Sequence, residues 1–320
     1  MTSGHMLSLA KSMAHHLLQS RSEGTVSKYF GAFKRWEHFI TAEGGQAMHA
    51  EPVHVALYLT HLMDSGCSTG VIQAAVYGIK WAHKIQGATD PTDNNYVINL
   101  IEASKRQNTA PVVKKDIVST EQIITLCENY STSQDLLVLR DLCIIVLCFA
   151  GFLRFNEVSS LKCKEIAFHQ TYISIQVSKS KTDQYRQGNE LVISQGSTSA
   201  CPIAMLRRYI DVGKIDLSSD HFLFKPAFNA KGKCALINKN KKLSYTRARE
   251  TVVARLKEVC GNINIGLHSL RAGGASMAAR ASVNERCWKR HGRWRSDTAK
   301  DGYVKDTIQN RLEVTRQLNL

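Results

Sequence analysis

Between Asp135 and Phe152 the chain becomes almost uniformly apolar once it has passed Arg140 and Asp141, running Leu142-Cys-Ile-Ile-Val-Leu-Cys-Phe-Ala150. A helix apolar on every side must be wrapped by other elements, and this one is shorter than the roughly 20 residues of a membrane span. It predicts a buried core helix, with Cys143 and Cys148 as small core residues. The run leads into Gly151-Phe-Leu-Arg-Phe-Asn-Glu157, so Arg154 directly follows the core helix. An unpaired charge is costly to bury there. Glu157, three residues on, can pair with it or orient it.

The 320 residues suffice for two ordinary domains, and 43% hydrophobic content belongs to a globular chain. Lys and Arg exceed Asp and Glu by 15 charges, which favours a polyanionic partner, nucleic acid ahead of a membrane surface. No apolar run is long enough to span a bilayer. Met1-Thr-Ser-Gly-His-Met6 lacks an apolar signal core and looks partly like a cloning scar. The nine cysteines are scattered without a C-x-x-C pair, which predicts reduced intracellular thiols and no zinc.

Residues 7–108 read as a run of helices. Thr25 to Ala42 places Val26, Tyr29, Phe33, Trp36, Phe39 and Ile40 at helical spacing, and similar segments follow from Val53, Val71 and Asn94. A compact all-helical domain fits, its aromatic residues forming one buried stripe. Residues 109–116 break the pattern around Pro111 and read as a linker along DNA or an ordinary surface loop.

Residues 117–320 form the second predicted domain. Ser119-Thr-Glu-Gln122 has capping-box spacing and opens a helix to about Tyr130. Tyr172 to Val177 and Leu191 to Ile193 alternate as strands of a hairpin, with lysines near its tip. Pro202 to Val212 reads as a helix, His221 to Phe224 as a short strand, and Ser244 to Val259 as an amphipathic helix. Between them runs a basic, poorly structured stretch containing Lys231, Lys233, Lys239, Lys241 and Lys242. The fold class is mainly α with a small antiparallel β-sheet (α+β).

Gly266-Leu-His-Ser-Leu-Arg-Ala-Gly-Gly-Ala275 puts His268 and Arg271 on one helix face. Trp294 follows within Arg293-Trp-Arg-Ser296, and Tyr303 comes nine residues later. A guanidinium, an imidazole, an indole N–H and a phenol suit a site that grips a phosphate and attacks it. H-x-x-R, then His or Trp, then Tyr, in this order and spacing, resembles the signature of the tyrosine recombinases (phage integrase family). Arg154 with Glu157 is similar to the family's first-arginine box. Trp294 stands where many members have His. Ser-Lys-Thr-Asp, His-Ser-Leu-Arg-Ala-Gly-Gly and Gly-Arg-Trp-Arg-Ser look closest to recombinases of eukaryotic mobile elements, DIRS-like or Crypton-like.

The resemblance implies a helical core-binding domain ahead of a recombinase catalytic domain. Its catalytic set would be Arg154, Lys181, His268, Arg271, Trp294 and Tyr303, supported by Glu157, with Lys179 as the alternate hairpin lysine. Candidate DNA contacts are Lys105, Arg106, Lys114, Lys115, Lys179, Lys241, Lys242 and Arg247. It implies no metal and no cofactor. The expected partners are double-stranded DNA sites and the protein itself, as a dimer on one site and a tetramer in synapsis, with no membrane. A mobile-element origin implies the nucleus, and otherwise the cytoplasm or nucleoid. A type IB topoisomerase shares the chemistry, and a domesticated DNA-binding protein that no longer cleaves is the remaining alternative. The segment Asp306 to Leu320 reads as an amphipathic helix that packs on its own domain or on a neighbouring protomer.

Overall fold

The computed structural model describes residues 4–107, 113–178, 189–230 and 233–318. The chain divides into two compact units, Met1–Val112 and Val113–Leu320.

The first unit is helical: α1 (Gly4–Gln19), α2 (Glu23–Ala42), α3 (Pro52–Asp64), α4 (Thr69–Ile85) and α5 (Asn95–Gln107). Its core gathers Trp36 and Ile40 from α2, Val55, Tyr58 and Leu59 from α3, Ile72, Val76 and Ile79 from α4, and Val97 from α5. The indole N–H of Trp36 donates to the Ala47 carbonyl at 2.9 Å, so its one polar atom is satisfied. Helix α1 buries no side chain and leaves Met6, Leu9 and Met13 exposed.

The second unit is built around α7 (Leu136–Ala150), which follows α6 (Thr120–Asn129). The predicted cap on α6 forms, and the structure adds one on α7. Ser119 and Gln122 make a capping box on α6, and Asp135 accepts from the Leu137 N–H at 2.7 Å on α7. Every residue of α7 from Val138 to Cys148 is buried, as its composition requires. The charged pair within it is buried too: Arg140 donates to Asp141 at 3.0 Å and to the Lys225 carbonyl at 3.4 Å. Beyond the short α8 (Phe155–Val158), the strands β1 (Ile166–Phe168), β2 (Tyr172–Val177) and β3 (Asn189–Ser194) form an antiparallel sheet in that order. Ile173 pairs with Ile193 and Ile175 with Leu191, setting one apolar face toward α7. Helix α9 (Pro202–Gly213) closes the core, and α10 (Tyr245–Cys260), α11 (Leu267–Arg280), α12 (Glu285–His291), α13 (Asp297–Asp301) and α14 (Ile308–Leu318) complete the chain.

Two local expectations are corrected. The segment 221–224 is not a strand: only Phe222 makes an isolated bridge, to Lys162, although Leu223 and Phe224 are fully buried. Conversely, the basic stretch after it contains a hairpin, β4 (Ala227–Ala230) with β5 (Lys233–Leu236).

Gly273 and Gly274 let α11 press directly onto its neighbours. A Cβ on Gly274 would lie 2.3 Å from the Phe149 carbonyl oxygen, and one on Gly273 would lie 2.2 Å from that of Val118. Backbone atoms cannot swing away as a side chain can, so overpacking here costs about 1–3 kcal/mol or more despite alanine's better helix propensity. Gly274→Ala is therefore expected to lower the urea midpoint of unfolding; an unchanged or raised midpoint would show that the two helices are not in close contact.

Candidate active site

Two helices that end the same way build the site. Helix α7 closes with Leu153 N–H on the Cys148 carbonyl at 3.2 Å and Phe152 N–H on that of Phe149 at 3.4 Å. Helix α12 closes with Trp294 N–H on the Lys289 carbonyl at 3.2 Å and Arg293 N–H on that of Arg290 at 2.9 Å. This is the Schellman pattern, whose key residue is usually glycine because it must be left-handed. Here the positions are held by Phe152, φ 46°, and Arg293, φ 57°. Side chains in such backbone persist only where their surroundings over-determine them. Each turn then delivers a predicted site residue: Arg154 after the first, Trp294 after the second.

The carbonyl end of α7 is capped by cations and a histidine from outside it. His291 Nε2 lies 2.7 Å from the Ala150 oxygen. Arg293 reaches the oxygens of Gly151 at 3.3 Å and Phe152 at 3.1 Å, and Arg271 also donates to Phe152. Positive groups at a helix C-terminus are favoured by its dipole. Arg271 additionally donates to the Gly292 carbonyl at 2.6 Å, tying α12 to α11.

Glu157 is the electrostatic centre, almost wholly buried. Its carboxylate accepts from the Arg154 N–H at 2.9 Å, the Arg154 guanidinium at 2.7 Å and the Arg293 guanidinium at 3.0 Å, with Arg271 3.9 Å away. Burial pushes the Glu157 carboxyl up, but the arginines around it and the Arg154 amide outweigh that and hold it below the usual range. Loss of water, and repulsion from the other guanidiniums, push Arg271 and Arg293 down. One carboxylate thus faces three guanidiniums, so this part of the site keeps a positive excess suited to an anion.

Tyr303 follows α13 and is half-buried. Its ring lies 5.5 Å from Trp294, and Arg271 packs against both rings, its guanidinium carbon 4.5 Å from the indole centroid and 4.9 Å from the phenol centroid. Burial pushes the Arg154 guanidinium down, but Glu157, and after it Tyr303, outweigh that and hold it above its usual range. The Trp294 indole N–H is buried and has no acceptor among the described residues, as is also true of the Arg271 Nε–H. A buried donor left unmade is expensive, and donors of this kind beside a cationic cluster fit a phosphate oxygen. Gly292 makes room for the indole: a Cβ there would meet its ring at 1.7 Å.

Of the residues read from the sequence, Arg154, Glu157, Arg271, Trp294 and Tyr303 come together. His268 lies one turn before Arg271 on α11, its side chain exposed. Lys179 and Lys181 lie outside the described residues. Lys105 and Arg106 are exposed at the end of α5 in the first unit. In the second unit Lys114, Lys115, Lys241, Lys242 and Arg247 are exposed. Tyr245, the first residue of α10, packs edge-on against Phe155, the residue after Arg154, at 5.7 Å.

Sequence reasoning passed over Arg293 and Lys300. Within Gly-Arg-Trp-Arg-Ser, Arg293 and Arg295 look alike, and only the fold shows that the first is buried and the second exposed. Lys300 is buried as well. It pairs with Glu285 and with Asp297 and Asp301, each at 3.4 Å, and stacks on Trp288, bracing the helix that precedes Tyr303.

A mostly helical domain with a small antiparallel sheet thus carries a cluster of arginines around a tyrosine and a tryptophan, a set of groups suited to holding a phosphate. The phage integrase family matches residues 117–309, and the chain belongs to it, among the tyrosine recombinases. An integrase/recombinase xerD homolog of Selenomonas ruminantium is 22% identical over 92% of this chain and 87% of its own length. In fold, the chain resembles the XerH site-specific recombinase in a post-cleavage complex with palindromic difH substrate: TM-score 0.56, 16% identity, 91% of this chain and 77% of that one. It also resembles a lambda integrase dimer bound to a COC′ core site: TM-score 0.55, 12% identity, 94% of this chain and 95% of that one.

Proposed function

We propose that the protein is a site-specific DNA recombinase that cuts and rejoins strands through a covalent 3′-phosphotyrosine at Tyr303. The observation that carries this is the set of three guanidiniums on one buried carboxylate, with an indole N–H that has no acceptor among the described residues and a phenol against them. The Tyr303 oxygen attacks the phosphorus, a P–O bond to the 5′ oxygen breaks, and that oxygen leaves as a hydroxyl after gaining a proton. A 5′-hydroxyl from a second strand then attacks the phosphotyrosine and reverses the step, so no ATP is consumed. Arg154 and Arg271 hold the non-bridging oxygens as negative charge grows, where preorganised donors act most strongly. Trp294 adds a third donor; an indole cannot shuttle protons. His268 takes the phenolic proton, needed because a free phenol titrates near 10, and Lys181 protonates the leaving oxygen, with Lys179 as the alternate. DNA entry would move the Tyr303 ring off the Arg271 guanidinium it now covers. The deciding experiment is to trap the adduct on a nicked suicide duplex and map the attached residue. Attachment at another side chain, or none, would defeat the proposal.

The motif likeness to mobile-element recombinases supports an element-borne integrase working in the nucleus. The first, helical unit would bind the duplex through α5 and its basic end. Helix α14 supports assembly on DNA, because Ile308, Leu312, Val314 and Leu318 are all exposed and the helix buries nothing. Such a face needs a partner surface, and a neighbouring protomer in a dimer or synaptic tetramer supplies one. Deleting the chain after Lys305 is expected to leave single-site binding intact and to weaken the tetramer, read by light scattering of protein–DNA complexes. A tetramer of undiminished stability would retire this role for α14.

A further inference from the structure

We infer that Arg293 is a positioning residue, which sets Arg154 through Glu157 and sets Trp294 through its own left-handed backbone. Four contacts define it. Its guanidinium donates to the oxygens of Gly151 at 3.3 Å, His291 at 2.8 Å, Phe152 at 3.1 Å and Glu157 at 3.0 Å. The first and third of these acceptors belong to the end of α7, the second to α12, and the fourth is the carboxylate that holds Arg154. A planar fork with several fixed donors can satisfy such a set; a lysine ammonium cannot. Arg293 thereby laces together the two turns that present Arg154 and Trp294. Its own backbone, φ 57°, is one that most side chains avoid, and it points the next residue, Trp294, at Arg271.

The side chain does not reach the reacting atoms on this reading. It is buried beneath Phe152 and Glu157, and Arg271, Trp294 and Tyr303 form the face that meets a phosphate. What it controls is alignment. A misplacement of about 1 Å in catalytic groups can cost on the order of 10²-fold in rate. Arg271 also ties α7 to α12, but through Phe152 and Gly292, and its approach to Glu157 is longer at 3.9 Å. Arg293 is therefore the closer link from the end of α12 to the Glu157 carboxylate that holds Arg154.

The kinetic arm of the test rests on the strand-transfer reading, and the spectroscopic arm does not. The probe is a suicide duplex recovered from a random-sequence library by covalent capture on the wild-type protein. Arg293→Lys keeps a charge beside Glu157, and Arg293→Gly relaxes the left-handed backbone while removing the fork. At saturating duplex both are expected to cleave about 10²-fold more slowly than wild type while their duplex affinity changes little. In a double-mutant cycle, adding Glu157→Gln to Arg293→Lys should cost less than the product of the two single losses, as expected of groups acting as one unit. Without DNA, the Trp294 indole N–H signal should shift or broaden in Arg293→Lys, with those of Trp36 and Trp81 in the first unit unchanged. Wild-type cleavage by either variant would overturn the assignment, and so would fully multiplicative losses with Glu157→Gln. An unmoved Trp294 signal in a folded Arg293→Lys protein would overturn it as well. If the wild-type protein captures no duplex, the strand-transfer reading fails, and the Trp294 signal alone still decides for or against Arg293.

Discussion

Tyr303→Phe is expected to abolish covalent attachment to DNA and to leave binding close to wild type. The substitution removes one oxygen and keeps the ring, so the tilted contact of residue 303 with Trp294 and its packing on the Arg271 guanidinium survive. What disappears from the folded protein is the hydroxyl's electrostatic support of the Arg154 guanidinium, which ranks after that of Glu157. Arg154 stays ordered because Glu157 holds it at 2.7 Å. The chemical effect is of another size. With no phenolic oxygen there is no phosphotyrosine, and loss of a covalent nucleophile costs on the order of 10⁶-fold where it has been measured in a protease. Adduct formation is read on the nicked duplex and affinity on the same duplex without the nick. Adducts at the wild-type rate in the Phe variant would place the nucleophile on a different residue.

How much of this was legible beforehand follows from the kind of signal each element carries. Helix α7 was legible because a run with no polar face can only be interior. The start of α6 was legible because Ser119 with Gln122 has the spacing that satisfies free N–H groups at a helix start. The pair β2–β3 showed through strict alternation, whereas β1 has three residues, too few for a period to emerge. The hairpin β4–β5 was hidden by its lysines, which read as solvated chain. Within the site, Arg154, Arg271, Trp294 and Tyr303 stood out through order and spacing. The burial of Arg293 and Lys300 depends on contacts made across more than a hundred residues in one case and across the α12–α13 corner in the other. Nor does a sequence announce a left-handed Phe152 or Arg293, since neither is the glycine that usually marks the end of a helix.

Arg154→Ala and Arg271→Ala are each expected to slow cleavage by at least ~10²-fold, the scale for loss of one preorganised donor to a developing oxyanion. Their effects on stability should differ, and the difference separates chemistry from scaffolding. Arg154 sits at the edge of the cluster, and its removal leaves Glu157 with Arg293 at 3.0 Å and Arg271 at 3.9 Å. The carboxylate stays compensated, and a modest loss of stability follows. Arg271 is fully buried, and its removal strips the Gly292 carbonyl of a donor at 2.6 Å and leaves a void beneath the Trp294 and Tyr303 rings. Buried acceptors left unpaired cost about 1–3 kcal/mol each, and a large core truncation costs about 2–5 kcal/mol. Removing Arg271 also relieves repulsion with Arg154 and Arg293, so the net loss should fall toward the lower part of that range. Urea unfolding of the two variants, set beside single-turnover cleavage well below their melting temperatures, measures both quantities. An Arg271→Ala protein that is destabilised but cleaves at the normal rate would confine Arg271 to holding the two helix ends together. Arg271→Lys sharpens the distinction: it retains the charge a phosphate needs but cannot span the Phe152 and Gly292 oxygens at once, so slow cleavage in that variant would show that the fork geometry, rather than the charge alone, aligns the site.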